Sequence, residues 1–185
     1  MSPLTETRRT PSASVPAGVL ATMTMDAAMV LASCVFRDAF TSDRIGLEMI
    51  GRWAGGLARG RGGRHGRLSD DAVDITAEPR LRGEAAIGLG VHYLTGIALT
   101  EVYFILLRRA GLRLGPAAAT GLATAYGLST AVLPLLVMYP SMGYGCCGRR
   151  SGDTARLLRI MLLGHVAFGA GIGLATVLRP ARPGG

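Results

Sequence analysis

Lysine is absent from this 185-residue chain: all 20 basic residues are arginine, which alongside abundant Ala, Gly and Leu reads as the coding bias of a GC-rich bacterium and carries no functional message. Charge is sparse as well. Only 17% of residues are charged and 49% are hydrophobic, an apolar fraction high for a soluble protein of this size. The three cysteines show no zinc-type pairing, and neither a phosphate loop nor a nucleophile elbow is present. Structural zinc, P-loop nucleotide chemistry and an α/β-hydrolase serine are thereby excluded, and no cofactor is expected. No internal repeat is evident, and the length suits one domain.

What the chain does contain is four apolar stretches, roughly residues 17–36, 85–107, 116–140 and 157–178. Each meets the requirement of about 20 residues for a helix that crosses a bilayer. The expected fold is therefore all-α: a polytopic membrane protein, with a four-helix membrane domain over residues 17–178 between a mobile Ser/Thr/Pro-rich tail, 1–16, and a short tail, 179–185. The pI near 10.4 would point to nucleic acid in a soluble protein, but the arginines lie mainly between the spans. Lipid phosphates are the expected counter-charge, and nucleic acid is not an expected partner. The connections 37–84 and 141–156, with Arg159, hold 13 of the arginines against seven on the other side, so the positive-inside rule places those connections in the cytoplasm.

The long connection 37–84 begins with IGLEMIGRWAGGL, where Ile50, Trp53 and Leu57 share a helical stripe as in an interfacial helix. Trp53, the single tryptophan, is expected at the headgroup level. ARGRGGRHGR then reads as a solvated or headgroup-contacting basic loop rather than an RNA-binding segment. Leu31-Ala32-Ser33-Cys34 has the form of a lipoprotein cleavage box, but Asp26 lies inside what would be the signal's apolar region. The first span is accordingly expected to stay.

Three spans carry an ionisable residue near mid-depth: Asp26, His92 and His165. A charged group at that depth costs about 2.5–3.5 kcal/mol on insertion scales, so it pairs, faces a cavity or functions. Helical rise puts the three within about 6 Å of a common level. Gly88, His92 and Gly96 share a face, as do Met161, His165, Gly169 and Gly173, and glycine stripes let helices approach closely. Asp26 shares its face with Thr22, Met23, Met29 and Ser33. Ser129 and Thr130 add hydroxyls at a compatible depth, and Pro134 is expected to kink the third span and free the carbonyl near Thr130. Glu101 lies about 900° and about 13 Å along its helix from His92, so it falls outside that centre, and pairing with Arg108 or Arg109, snorkelling or an oligomer contact is expected instead.

MYPSMGYGCCGRR, residues 138–150, closes the third span. Pro140, Gly143, Gly145 and Gly148 forbid a regular helix, and Tyr139 and Tyr144 suit the interface. Met138, Met142, Cys146 and Cys147 form a soft-ligand set of the kind that holds Cu(I), although adjacent cysteines are not by themselves a known ligand spacing.

In this order and spacing TMTMDAAMVL, IGRWAGGLARGR, GVHYLTGIA, VMYPSMGYG and ARLLRIMLLGHVAFGAGIGL resemble the bacterial membrane-protein family called domain of unknown function 2938. Its distinctive parts here are Asp26, Gly51-Arg52-Trp53, His92-Tyr93 with Gly96, Pro140 with Gly143 and Gly145, and Arg156 with His165 and Gly169. The resemblance implies a four-span protein of the inner membrane with no assigned activity. The chain departs from it in Tyr139, where members often carry Gln, and in Cys146-Cys147, where small residues are usual.

Three functions compete. A centre of Asp26, His92 and His165 that binds or relays a proton or small solute is favoured, histidine being switchable near neutral pH. A membrane-embedded acid–base cyclase or isomerase acting on a lipid-like or isoprenoid substrate is the alternative, and a structural or assembly subunit the third. The expected partners are the lipid bilayer, further copies of the chain, and a small or lipid-like ligand.

Overall fold

The structure, a computed structural model, describes residues 14–35, 46–60, 75, 79–112 and 114–178. Among these the chain is helical, without a strand: α1 Ser14–Val35, α2 Leu47–Ala58, α3 Glu84–Ala110, α4 Pro116–Ser129 and α5 Thr154–Val177. Four helices are long and apolar enough to cross a membrane, Ser14–Ala32, Glu84–Ala110, Pro116–Ser141 and Thr154–Val177. The expected tails lie outside the described residues, apart from Ser14, Val15 and Pro16, which open α1, and so does most of the basic loop.

Local chemistry sets the ends. Pro116 opens α4, where its missing N–H is no loss. Arg108 and Arg109 occupy the last turn of α3, and Gly111 closes that helix at φ 62°. The fourth span starts three residues earlier than its apolar run because the Asp153 side chain accepts from the N–H of Arg156 at 3.0 Å. Hydroxyls inside the spans bond to their own helices: Thr22 donates to Gly18 O, Thr100 to Gly96 O and Thr124 to Thr120 O. In a medium without water this satisfies each group at once.

The third span is irregular at its centre. After α4 a tight turn carries Thr130 and Ala131, and the chain resumes as a π-helical turn, Pro134–Met138, followed by a short helical turn, Tyr139–Ser141. Proline causes the break, as expected, but the carbonyl of Thr130 is not freed: the N–H of Leu133 donates to it at 3.1 Å.

α5 sits in the middle, packed between α4 and α1, and 44% of its most apolar stretch is buried against 22% for each of the other spans. α3 packs on the far side of α1, and α2 lies across the start of α3. The first core joins Ala17, Ala21, Tyr103, Phe104, Phe168 and Ile172 within the spans. A second core, at the end where the long connections meet, joins Met49, Ile75, Tyr139, Met142, Tyr144 and Met161.

Glycine permits the close contacts. A Cβ on Gly51 would collide with Glu84 O, one on Gly88 with Leu47 O, and one on Gly127 would stand 2.5 Å from the Cα of Gly169. Nothing lies within 4 Å of the same position on Gly90 or Gly121. Gly51→Ala is therefore expected to destabilise the protein by about 1–3 kcal/mol through forced separation of α2 and α3. Gly90→Ala should be neutral or stabilising by up to ~1 kcal/mol in the same thermal unfolding measurement in detergent.

Candidate functional site

Asp26 meets His92 and Tyr93 across the α1–α3 contact. Its Oδ1 stands 2.9 Å from His92 Nε2, and its Oδ2 accepts from the Tyr93 hydroxyl at 3.0 Å. The rings of His92 and Tyr93 stand edge to face, centroids 5.7 Å apart. The packing of α1 explains the meeting. Gly18, Thr22 and Asp26 recur every four residues and face α3, where Gly18 lies against Ile97, Thr22 against Gly96, and Asp26 one turn further along against His92. The two helices run antiparallel, so the four-residue step from Thr22 to Asp26 on α1 matches the four-residue step back from Gly96 to His92 on α3.

His165 has another partner. Its Nδ1 stands 2.9 Å from Thr130 Oγ1, which itself lies 2.6 Å from Gly127 O. A hydroxyl has one hydrogen, so when Thr130 donates to Gly127 O it accepts from His165 Nδ1–H. Both residues are buried, Thr130 at 6% exposure and His165 at 8%. The single centre expected from helical rise thus divides in two, Asp26 with His92 and Tyr93 between α1 and α3, and His165 with Thr130 between α5 and α4. Azimuth decides the division. α1 turns Met25 and Met29, not Asp26, toward α5, where they close over Gly164, and one residue later His165 points to α4.

Ser129 does not join either pair: it is exposed and its hydroxyl donates back to Tyr126 O at 2.7 Å. Glu101 pairs with Arg108 at 3.0 Å, as the spacing predicts.

Arg52 holds a different place from the one an interfacial helix suggests. Its Nε and Nη2 donate to the two oxygens of Glu84 at 2.9 and 2.8 Å, with side chains only 9% and 8% exposed. Nη1 reaches Ile75 O at 3.5 Å, and the N–H of Leu81 donates to Glu84 Oε2. Glu84 raises the pKa of Arg52 further, so the cation is permanent. Sequence reasoning missed Glu84, which closes an acid-rich connection and looks like loop. Its only signal was an acidic residue at a helix start.

The aromatics expected at the headgroups also turn inward. Tyr139 and Tyr144 are 2% and 6% exposed, and the Tyr144 hydroxyl donates to Met49 Sδ at 3.4 Å. Trp53 packs on the same core with its Nε1–H buried and without a hydrogen-bond partner among the described residues, while Leu57 on its stripe stays exposed. The reason is that α2 covers the second core. Two tyrosines not singled out in the sequence, Tyr103 and Tyr126, bridge α3 and α4: Tyr126 donates to Leu99 O at 2.7 Å and Tyr103 to Ala119 O at 3.4 Å.

In the closing segment Pro140 sits in a helical turn, and Gly143 and Gly145 take φ 92° and 69°, which only glycine adopts freely. Met142 is sealed in the second core with no exposure and Met138 packs beside it, so these thioethers serve packing. Cys146 and Cys147 are free thiols, partly exposed, and among the described residues no three metal-binding side chains cluster.

Across residues 15–179 the chain matches the model of the family described as protein of unknown function (DUF2938), and it belongs to that family. No curated protein and no solved structure matches it.

Proposed function

We propose that this member of a family without an assigned activity is an inner-membrane protein of a bacterium that binds and passes a proton, coupled to a small solute, at Asp26, His92 and Tyr93. The observation that carries the reading is the state of Asp26: both oxygens are held by side chains of α3, yet 40% of its side chain is open. A polar group that only ties helices together is best sealed, as Thr130 and His165 are. A carboxylate that is oriented and still accessible is able to exchange a proton or meet a cation without a helix moving. His165 and Thr130 then serve as the packed support behind it.

One observation favours the second reading, an acid–base enzyme on a lipid-like or isoprenoid substrate. The neighbours of Asp26 on the outward side of α1, Met23 and Val30, are 54% and 62% exposed, so the opening adjoins an apolar surface. Asp26 as acid and His92 as base would then act on a molecule arriving from the hydrocarbon.

Reconstitution separates the readings. In liposomes carrying the full chain, a pH gradient should drive uptake of at least one member of a panel of small cationic solutes. Asp26→Asn should reduce that uptake to the level of protein-free liposomes, whereas Ser129→Ala should not change it. Turnover of polyprenyl lipids without solute flux would favour the enzyme. Wild-type behaviour of Asp26→Asn and His92→Ala in both assays would remove both and leave a packing role.

A further inference from the structure

The loop between the third and fourth spans brings two thiols side by side. Cys146 and Cys147 lie with their sulfurs 3.6 Å apart, both partly exposed, while Tyr144 and Gly148 on either side are buried. Cys147 is at φ 56°, ψ 22°, and among the described residues it is the one non-glycine with positive φ. Gly143, Gly145, Gly148 and Gly152 supply glycine at the other left-handed positions of this loop. A side chain with a Cβ is costly there, and it is a cysteine.

The loop is also rigid. The N–H of Gly148 donates to Gly145 O, that of Arg149 to Cys146 O and that of Arg150 to Tyr144 O, and the Thr154 hydroxyl donates to Gly148 O. The sulfurs are therefore held in place before anything binds, which lowers the ordering cost of binding.

A disulfide is a poor end for this pair. Neighbouring Cα atoms stand about 3.8 Å apart, whereas disulfides usually join Cα atoms about 5.5–6 Å apart. Closing the bond would store strain and make it easily reduced, so the dithiol persists. Its spacing suits a shared ion instead: two sulfurs with metal–sulfur bonds of about 2.3 Å at a tetrahedral angle stand about 3.8 Å apart. Among the described residues no third His, Cys, Asp or Glu completes a cage, so one or more positions on the ion stay open to its own ligands.

We propose that Cys146 and Cys147 form a two-thiol chelating site for a soft, thiophilic ion, either trivalent arsenic or a copper(I)-type cation. Thiolates select such ions over hard ones. With an organic arsenous acid, two As–O bonds are replaced by two As–S bonds, and the two hydroxides leave with the two thiol protons as water. No electron is transferred. A copper(I)-type cation displaces the thiol protons, so its binding strengthens as pH rises, whereas the arsenical exchange releases water and no net proton. The thioethers of Met138 and Met142, packed in the second core, are not required.

The test uses the full chain in detergent micelles, phenylarsine oxide as probe, and intact-mass measurement after challenge with excess glutathione. Wild type and Cys34→Ser should each keep one arsenical per chain, and a small dithiol should strip it. Cys146→Ser and Cys147→Ser should lose the probe to glutathione. Cys147→Gly suits the left-handed backbone and should fold at least as well as wild type while failing to retain it. A second arm titrates copper(I) against a competing chelator: retention by wild type but not Cys147→Gly identifies a copper-type site, and arsenical retention alone an arsenic-type one. Loss of both the arsenical and copper(I) from wild type, or equal retention of the bound ion by Cys147→Gly, overturns the proposal.

Discussion

Glu84→Gln should lower the stability of the folded protein by about 3–5 kcal/mol, the range for stranding one partner of a buried ion pair. The guanidinium of Arg52 is 9% exposed and gives two of its donors to the Glu84 carboxylate. A glutamine leaves the cation in place and offers one acceptor together with an NH₂ that repels it. The pair also clamps α2 to the start of α3 just where Gly51 and Gly88 let their backbones touch, so its loss opens both that contact and the second core. Trp53, the chain's single tryptophan, packs on that core and reports the event directly. Unfolding in detergent with increasing denaturant, followed by Trp53 fluorescence, should show the shift. Arg52→Lys should not restore the wild type, because an ammonium lacks the fork that engages both oxygens. Replacing both residues by leucine should recover most of the loss, since no unpaired charge then remains. A Glu84→Gln variant within about 0.5 kcal/mol of wild type would mean that α2 is held by apolar packing alone.

The contrast between Arg52 and the spans shows what a sequence makes legible in such a protein. The four helices stand out because a span needs a long apolar run, and composition records that residue by residue. Even the errors at their ends have a local cause, as at Asp153, whose capping side chain lengthens the last helix. Helical rise alone put Asp26 level with His92, and Asp26 does lie beside His92. Azimuth was less legible. Which neighbour a face meets depends on how each helix is rotated in the bundle, and the face of α5 that carries His165 meets Thr130 instead. The Arg52–Glu84 pair was invisible for a related reason: its partners are 32 positions apart, one in a helix that reads as interfacial and one at the edge of an acid-rich connection. Trp53, Tyr139 and Tyr144 carry the composition of a membrane interface and nonetheless pack a second core, because α2 folds over the bundle end and turns them inward.

The largest chemical contrast is expected at Asp26 itself. An apolar carbodiimide, which partitions into the bilayer, should modify Asp26 with about one adduct per chain, while a charged, water-soluble carbodiimide leaves it untouched. The reagent adds across the carboxyl O–H to give an O-acylisourea, and in a medium poor in water this rearranges to a stable N-acylurea rather than hydrolysing. Asp26 meets the conditions because 40% of its side chain is open and the adjoining surface of α1 is Met23 and Val30. Glu101 provides the comparison within the same molecule: it is 34% exposed, but its Oε1 is occupied by the Arg108 guanidinium at 3.0 Å, near the other end of α3. Peptide mapping should therefore find the adduct on α1 and not on α3, and Asp26→Asn should abolish it. Preference for the water-soluble reagent would instead place Asp26 on an aqueous path and weigh against a substrate entering from the hydrocarbon. Labelling by neither would mean that the centre is closed by another molecule, and a second copy of the chain covering α1 would then be detected by crosslinking through Cys34, which is exposed near the end of the same helix.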